Sequence, residues 1–273
     1  VNLDQLRLHL ARPSKTLGVI QELQSLRPRL QLHWQYCPGS TNRQLWHLLE
    51  QGAPAGVVLV ATTQSAGKGQ WKRKWQSPPG GVYLSLGLKP DIPVSLSAYL
   101  TLASSWGLVA SLRNLGIDAW VKWPNDVVVN GRKLAGVLIE TRLEAGLIPD
   151  VVIGVGLNGF NEVPDTGISI AQLFQPDLPP YPLKSVESLG AIAIYGILQG
   201  YFYWQNYGNS ALLNAYEAFM TNIGQIITVE DHLAKVIGVA ASGHLRVQPI
   251  LGHRRLATPV EIEPGRVTLG YNA

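Results

Sequence analysis

The sequence predicts an α+β fold: a mixed β-sheet packed with helices, followed by a small β-barrel of about 50 residues. Three observations lead there. Up to Gly224, apolar runs of strand length alternate with longer apolar segments of helical length. After Gly224 the helical segments stop, and short β-like runs are separated by Gly, Asp, His and Pro. The 273 residues, 46% of them hydrophobic, suffice for one full core and a smaller second one. The expected organisation is a helical segment at 1–30, a main body at 31–222 and the barrel at 223–273.

The elements follow in order. Leu3, Leu6, Leu10 and then Leu17, Ile20, Leu23, Leu26 have helical spacing. Val57–Ala61 is a buried strand, and Val82–Leu88 alternates like one. Between them Gly67–Gly81 is a long loop rich in Gly, Pro and cations. Ser95–Leu115 is a buried helix stopped by Gly116. Val127–Val129, Asn130-Gly131 and Leu134–Glu140 form a hairpin, because Asn-Gly supplies the positive φ values of a type I′ turn. Val151–Val155 is a further strand, and Ser185–Tyr203 and Ser210–Met220 are helices. The barrel strands are Ile226–Val229, Ala234–Ala240, Leu245–Pro249, Val260–Ile262 and Val267–Leu269.

Composition narrows the function. Charged residues are 15%, which argues against a disordered or coiled-coil chain. The single cysteine, Cys37, allows no internal disulfide and no cysteine-rich zinc site, which fits the cytoplasm. The six histidines show no metal-ligand spacing, so no protein metal site is expected. The first thirty residues carry charges throughout and no signal-peptide core. Apolar stretches such as Ala191–Leu198 fall short of a bilayer span, so no membrane partner is expected. The net charge of +4 fits either a nucleic-acid binder or an enzyme of triphosphates.

Four constellations carry chemistry. Gly67–Pro78 holds Lys68, Lys72, Arg73 and Lys74, no acid, two glycines, and Trp71 and Trp75. Glycines let backbone N–H groups approach an anion, and cations neutralise phosphate. It is not a Walker A loop, since Lys68 precedes Gly69. An exposed RNA-binding loop is the other reading. Lys122-Trp123-Pro124-Asn125-Asp126 leads into the hairpin, with Lys133 just past its turn. Gly154-Val155-Gly156-Leu157-Asn158-Gly159 satisfies GxGxxG after a strand, but Phe160–Gly167 is a poor helix, against a dinucleotide site. Ser40-Thr41-Asn42 opens a helical segment, where an N-cap is the simplest role.

Taken in order, Ser40-Thr41-Asn42, Gln64, the Gly67–Pro78 loop, Lys122–Asp126, Lys133–Glu140 and Gly154–Asn158 resemble the biotin–protein ligases. That resemblance implies a class II aminoacyl-tRNA synthetase-like catalytic domain over 31–222 and an SH3-like C-terminal barrel. It implies activation of biotin with ATP and Mg²⁺ to biotinyl-5′-AMP. It implies transfer to a lysine of a biotin carboxyl carrier domain of a biotin-dependent carboxylase. No tightly bound prosthetic group is implied.

The resemblance also assigns roles. Ser40, Thr41 and Gln64 would hold the ureido end of biotin. Asn42, Gly67, Gly69, Gln70 and Gly136 would complete its pocket with Lys68, Trp75 and Lys133. Lys133 would lie between the biotin carboxylate and the α-phosphate. Lys68 and Arg73 would close over the phosphates, Trp75 would wall the ligand, and Asn158 would contact the nucleotide. Asn125 and Asp126 would shape the site near phosphates and magnesium. Lys68, Gln70, Lys72 and Gly39 depart from the family pattern, with Gln70 losing one charge.

Lipoate–protein ligases are the near rival, but Ser40–Asn42 with Gln64 suits a urea better than a dithiolane. Some biotin ligases also repress transcription through an N-terminal helix-turn-helix. Only 39 residues precede Ser40 and show no such pattern, so specific DNA binding is not expected. A homodimer is compatible with the sequence.

Overall fold

The computed structural model describes residues 1–251, 254–255, 258–267 and 269–271. Thr268, inside the expected run Val267–Leu269, and residues 252–253, 256–257 and 272–273 of the expected barrel lie outside the described residues.

Helix α1 (Leu3–Leu10) starts at Asn2, whose side chain accepts from the N–H groups of Asp4 and Gln5. The second leucine series does not form an α-helix. Pro13 precedes it, Gly18 at φ 78° interrupts it, and two 3₁₀ turns result, Ser14–Leu17 and Gln21–Leu23. Then come β1 (Gln31–Gln35), α2 (Thr41–Glu50), β2 (Val57–Ala61), β3 (Val82–Leu88), β4 (Ile92–Pro93) and α3 (Ser97–Asn114). The hairpin is β6 (Asp126–Val129) with β7 (Arg132–Thr141), preceded by the short β5 (Trp120–Lys122). Asn130 and Gly131 have φ of 50° and 71°, the signs a type I′ turn needs. After β8 (Leu147–Ile148), β9 (Val151–Leu157) and α4 (Ile170–Leu173), α5 runs from Val186 to Ala218. The two expected helices are thus one element, broken in conformation only at Gly208, φ 80° and ψ −179°.

Seven strands form one sheet in the order β1-β2-β3-β9-β7-β6-β5. Only β1–β2 is parallel. Strand periodicity divides its faces. Val58, Val60, Leu84, Leu86, Ile153 and Val155 join the core beneath α3 and α5, whereas Val57, Leu59 and Val152 pack with Leu45 and Leu49 of α2. Because helices cover both faces, β2 and β3 are buried at every position.

Helices α3 and α5 cross at glycines. A Cβ on Gly107 would lie 2.1 Å from the Gly196 carbonyl oxygen, and one on Gly200 would lie 1.9 Å from that of Ala103. Contrary to the sequence expectation, the segment Val94–Asn114 is long and apolar enough to cross a membrane. It serves instead as core: 67% of its apolar window is buried, against α5 and the sheet.

The C-terminal sheet is antiparallel: β10 (Ile226–Val229), β11 (His232–Val239) and β12 (Leu245–Leu251), with β13 (Arg254–Arg255) and β14 (Val260–Ile262) both on β12. Among the described residues no pairing closes it into a barrel.

Candidate active site

The α2 face of the sheet carries a cavity of about 390 Å³, in the range of small-molecule sites. Its floor is made by glycines. On β7 and β9 the residues turned to this face include Gly136, Gly154 and Gly156. A Cβ on Gly154 would lie 2.3 Å from Asn42 Oδ1, and one on Gly156 would lie 2.3 Å from Trp75 Cε2. Glycine is therefore what lets Asn42 and Trp75 lie flat on the strands.

One end of the cavity is polar and uncharged. Ser40, Thr41 and Asn42 are buried at the start of α2. Ser40 stands at the N-cap position, but its side chain makes no capping bond. The Thr41 N–H donates to Gln64 Oε1 at 2.8 Å, and Gln64 Nε2 donates to Ser77 Oγ at 2.9 Å. Ser85 Oγ lies 2.8 Å from Thr41 Oγ1 and donates to Asn42 Oδ1 at 2.6 Å. Asn42 Nδ2 and Trp75 Nε1 are buried donors without a partner among the described residues. Such a donor costs about 1–3 kcal/mol unless a ligand satisfies it.

The other end is cationic. Lys68, Arg73, Lys74, Lys122 and Lys133 line the cavity against one acid among its described lining residues, Asp126. Asp126 Oδ1 is 2.5 Å from Lys133 Nζ, and its Oδ2 accepts from Tyr271 Oη at 2.6 Å and lies 3.9 Å from Lys122 Nζ. Lys133 Nζ also stands 5.1 Å from the Trp75 ring centroid, and Lys122 Nζ 3.9 Å from that of Tyr271. Burial pulls the Lys122 pKa down; Asp126 raises it, while Lys133 and Arg73 lower it further. Burial and Asp126 push the Tyr271 hydroxyl well above its ordinary pKa, so it stays a donor.

The Lys122–Asp126 motif is a rigid joint. Trp123 Nε1 donates to the Gly243 carbonyl at 3.1 Å, Tyr216 Oη donates to that of Pro124 at 2.9 Å, and Asn125 Nδ2 donates to that of Val137 at 2.6 Å. It ties the sheet to α5 and to the C-terminal strands.

Most residues singled out in the sequence converge here: Ser40, Thr41, Asn42, Gln64, Lys68, Gly69, Gln70, Arg73, Trp75, Asn125, Asp126, Lys133 and Gly136 all line the cavity. Two sit beside it. Gly67 faces an outer groove and accepts the Trp75 N–H at its carbonyl, 3.0 Å. Asn158 lines a smaller neighbouring cavity shared with Lys133 and Trp75. Its amide donates to the Lys133 and Ile168 carbonyls, both at 3.2 Å, so it braces the Lys133 strand. Of the loop cations only Lys72 lies outside the cavity, at φ 61°. Lys68 additionally pairs with Glu140 at 3.2 Å.

The sequence reading gave no role to Lys74 or Ser77, and missed Ser85 and the wall made by Gly265, Val267, Leu269 and Tyr271. Lys74 and Ser77 were both visible in the Gly67–Pro78 loop. Nothing local marks the others, since their partners are remote in sequence.

A mixed sheet with a glycine-floored pocket, polar at one end and cationic at the other, defines a protein that holds an uncharged polar group and an anion together. The model of the biotin/lipoate A/B protein ligase family matches residues 34–158. A biotin–[acetyl-CoA-carboxylase] ligase of Mycobacterium tuberculosis is 34% identical over 204 residues, 70% of this chain and 71% of that protein. The chain belongs to this family. The bifunctional ligase/repressor BirA of Bacillus subtilis is 39% identical over 128 residues, 46% of this chain but only 39% of that protein. The fold is that of the biotin protein ligase from Aquifex aeolicus solved with biotin and ATP: TM-score 0.66, 22% identity, 89% of this chain and 99% of that one.

Proposed function

We propose that the protein is a biotin–protein ligase, which activates biotin with ATP and transfers it to a lysine of a biotin carboxyl carrier domain. The observation that carries this is the polarity of one cavity: Thr41, Asn42 and Gln64 at one end, five cations at the other. The unpartnered Asn42 Nδ2 is a donor for the biotin ring system. The valerate chain then runs along Trp75, which itself lies on Gly156 and Gly136, and the carboxylate reaches Lys133.

A carboxylate and a triphosphate repel each other. Lys133, Lys68, Arg73 and Lys122 lower that repulsion and hold the attack in line. The carboxylate oxygen bonds to the α-phosphorus, the α–β bridging bond breaks, and pyrophosphate leaves. A neutral carrier lysine then attacks the acyl carbon, AMP leaves, and the amine loses its proton. Trp75 and the Gly67–Pro78 loop exclude water from the anhydride meanwhile. Mg²⁺ would enter with ATP and be held mainly by its phosphates and water, with Asp126, whose oxygens here hold Lys133 and Tyr271, as the nearest carboxylate lining the cavity. When bound it neutralises phosphate charge.

We further read the C-terminal strands as an SH3-like barrel, supported by their antiparallel order and the β11 irregularity between Val236 and Gly238. Cytoplasmic residence is supported by the lone cysteine. Specific DNA binding is not proposed, since three of the four loop cations face the cavity. The test is incubation with ATP and labelled biotin or lipoate, with mass detection of the adenylate. Biotinyl-adenylate is expected; lipoyl-adenylate alone, or neither, overturns the reading.

A further inference from the structure

We infer that Tyr271 is a positioning residue of the active site, setting Lys122 and Asp126 for the polyphosphate of ATP. The inference rests on the ligase reading above and goes beyond it, because it brings a residue of the C-terminal segment into the phosphate end of the pocket.

Three observations carry it. First, Asp126 is shared between competitors. Its Oδ1 holds Lys133 at 2.5 Å, and its Oδ2 takes the Tyr271 hydroxyl at 2.6 Å. Lys122 waits at 3.9 Å from the same Oδ2, too far for a hydrogen bond. The neutral tyrosine therefore occupies the acceptor that Lys122 would otherwise claim. Second, the Tyr271 ring lies under Lys122 Nζ at 3.9 Å from its centroid. It supports the ammonium without neutralising it, and the charge stays available to an anion.

Third, the same segment seats the loop. Gly265 lies so close to Trp71 that a Cβ there would come within 2.8 Å of the indole ring. Trp71 itself holds a left-handed conformation, φ 57° and ψ 39°, which a non-glycine residue adopts at a cost. Gly265, Val267 and Leu269 complete the cavity wall between this contact and Tyr271. Segment, loop and Asp126 cluster thus meet around one anionic ligand.

Removing only the hydroxyl frees Oδ2. Lys122 closes onto it and is withdrawn from the phosphates. The full chain carrying Tyr271→Phe keeps the ring, and Tyr271→Leu removes ring and hydroxyl. Calorimetric titration with ATP should show affinity falling about tenfold in Tyr271→Phe, the scale of a hydrogen bond to a charged group. It should fall further in Tyr271→Leu. Biotin affinity and Tm of Tyr271→Phe should match the parent, and in pyrophosphate exchange KM for ATP should rise while kcat changes little. ATP affinity within about twofold of the parent in Tyr271→Phe overturns the inference; so does a parallel loss of biotin affinity, which marks a merely structural role. Tyr271→Phe decides even where Tyr271→Leu fails to fold. Absence of biotin-dependent exchange in the parent removes the ligase reading alone, since the ATP titration still judges Tyr271. A parent chain that takes no ATP removes both.

Discussion

Gly156→Ala adds one methyl group and should disable the site from beneath. The new Cβ would lie 2.3 Å from Trp75 Cε2, 2.5 Å from its Nε1 and 2.7 Å from its Cζ2. Ordinary contact begins at 3.4 Å, so the indole must retreat by about 1 Å, the difference of the two distances. Moving it off the strand disturbs Lys133, whose Nζ is 5.1 Å from the ring centroid. Overpacking of this kind costs about 1–3 kcal/mol. At this chain length that lowers Tm by about 2–6 °C. The catalytic loss is larger, because a misplacement of about 1 Å near the reacting groups costs on the order of 100-fold. Biotin-dependent pyrophosphate–ATP exchange and scanning calorimetry read the two effects separately. The control is Gly190→Ala in α5, where the nearest atom to the added Cβ is Leu6 Cδ1 at an ordinary 3.6 Å. It should leave exchange unchanged and Tm equal or higher. Exchange in Gly156→Ala within about threefold of the parent would refute the view that glycine is there to seat Trp75.

Lys133→Ala should lower exchange by about 100-fold or more while weakening biotin binding much less, because the amine acts mainly on charge that develops during attack; near-normal exchange removes it from catalysis. Gly200→Ala should force α3 and α5 apart, since its Cβ would meet the Ala103 carbonyl oxygen at 1.9 Å; we expect a loss of about 3 kcal/mol or more by urea unfolding, and an unchanged midpoint would show the helices adapt freely. His9 gives a pH dependence: burial, then Arg12, holds its pKa below the ordinary 6.5, against Glu187, which raises it. Because the folded value is the lower one, the unfolded chain binds more protons between the two values, and stability rises with pH there. Stability should thus be full above pH 6.5 and fall as pH drops below it, and His9→Gln should flatten that fall in urea titrations at pH 7.5 and 5.5; equal slopes in both chains would contradict the assignment.

Much of this protein is written locally. Val57–Ala61 falls where its continuous apolar run places it, since a strand covered on both faces favours apolar residues throughout, and Val82–Leu88 falls where its alternation places it, although both of its faces prove buried. The Asn130-Gly131 turn follows from two φ values few residue pairs can take. The loop cations and the Lys122–Asp126 motif name the chemistry, because neutralising phosphate needs charge whatever the fold. Tertiary structure decided the rest. The leucines at 17–26 have helical spacing, yet Pro13 and Gly18 allow only short turns. β1 and β5 are too short or too polar to announce themselves and exist because a neighbour offers hydrogen bonds. Gly154 and Gly156 look like a dinucleotide fingerprint in sequence; in space they clear room for Asn42 and Trp75. Tyr271 reaches Asp126 across 145 residues of chain, a contact that no local pattern can encode. Propensity and periodicity act over a few residues, whereas an active site is assembled from segments whose only relation is that they pack side by side.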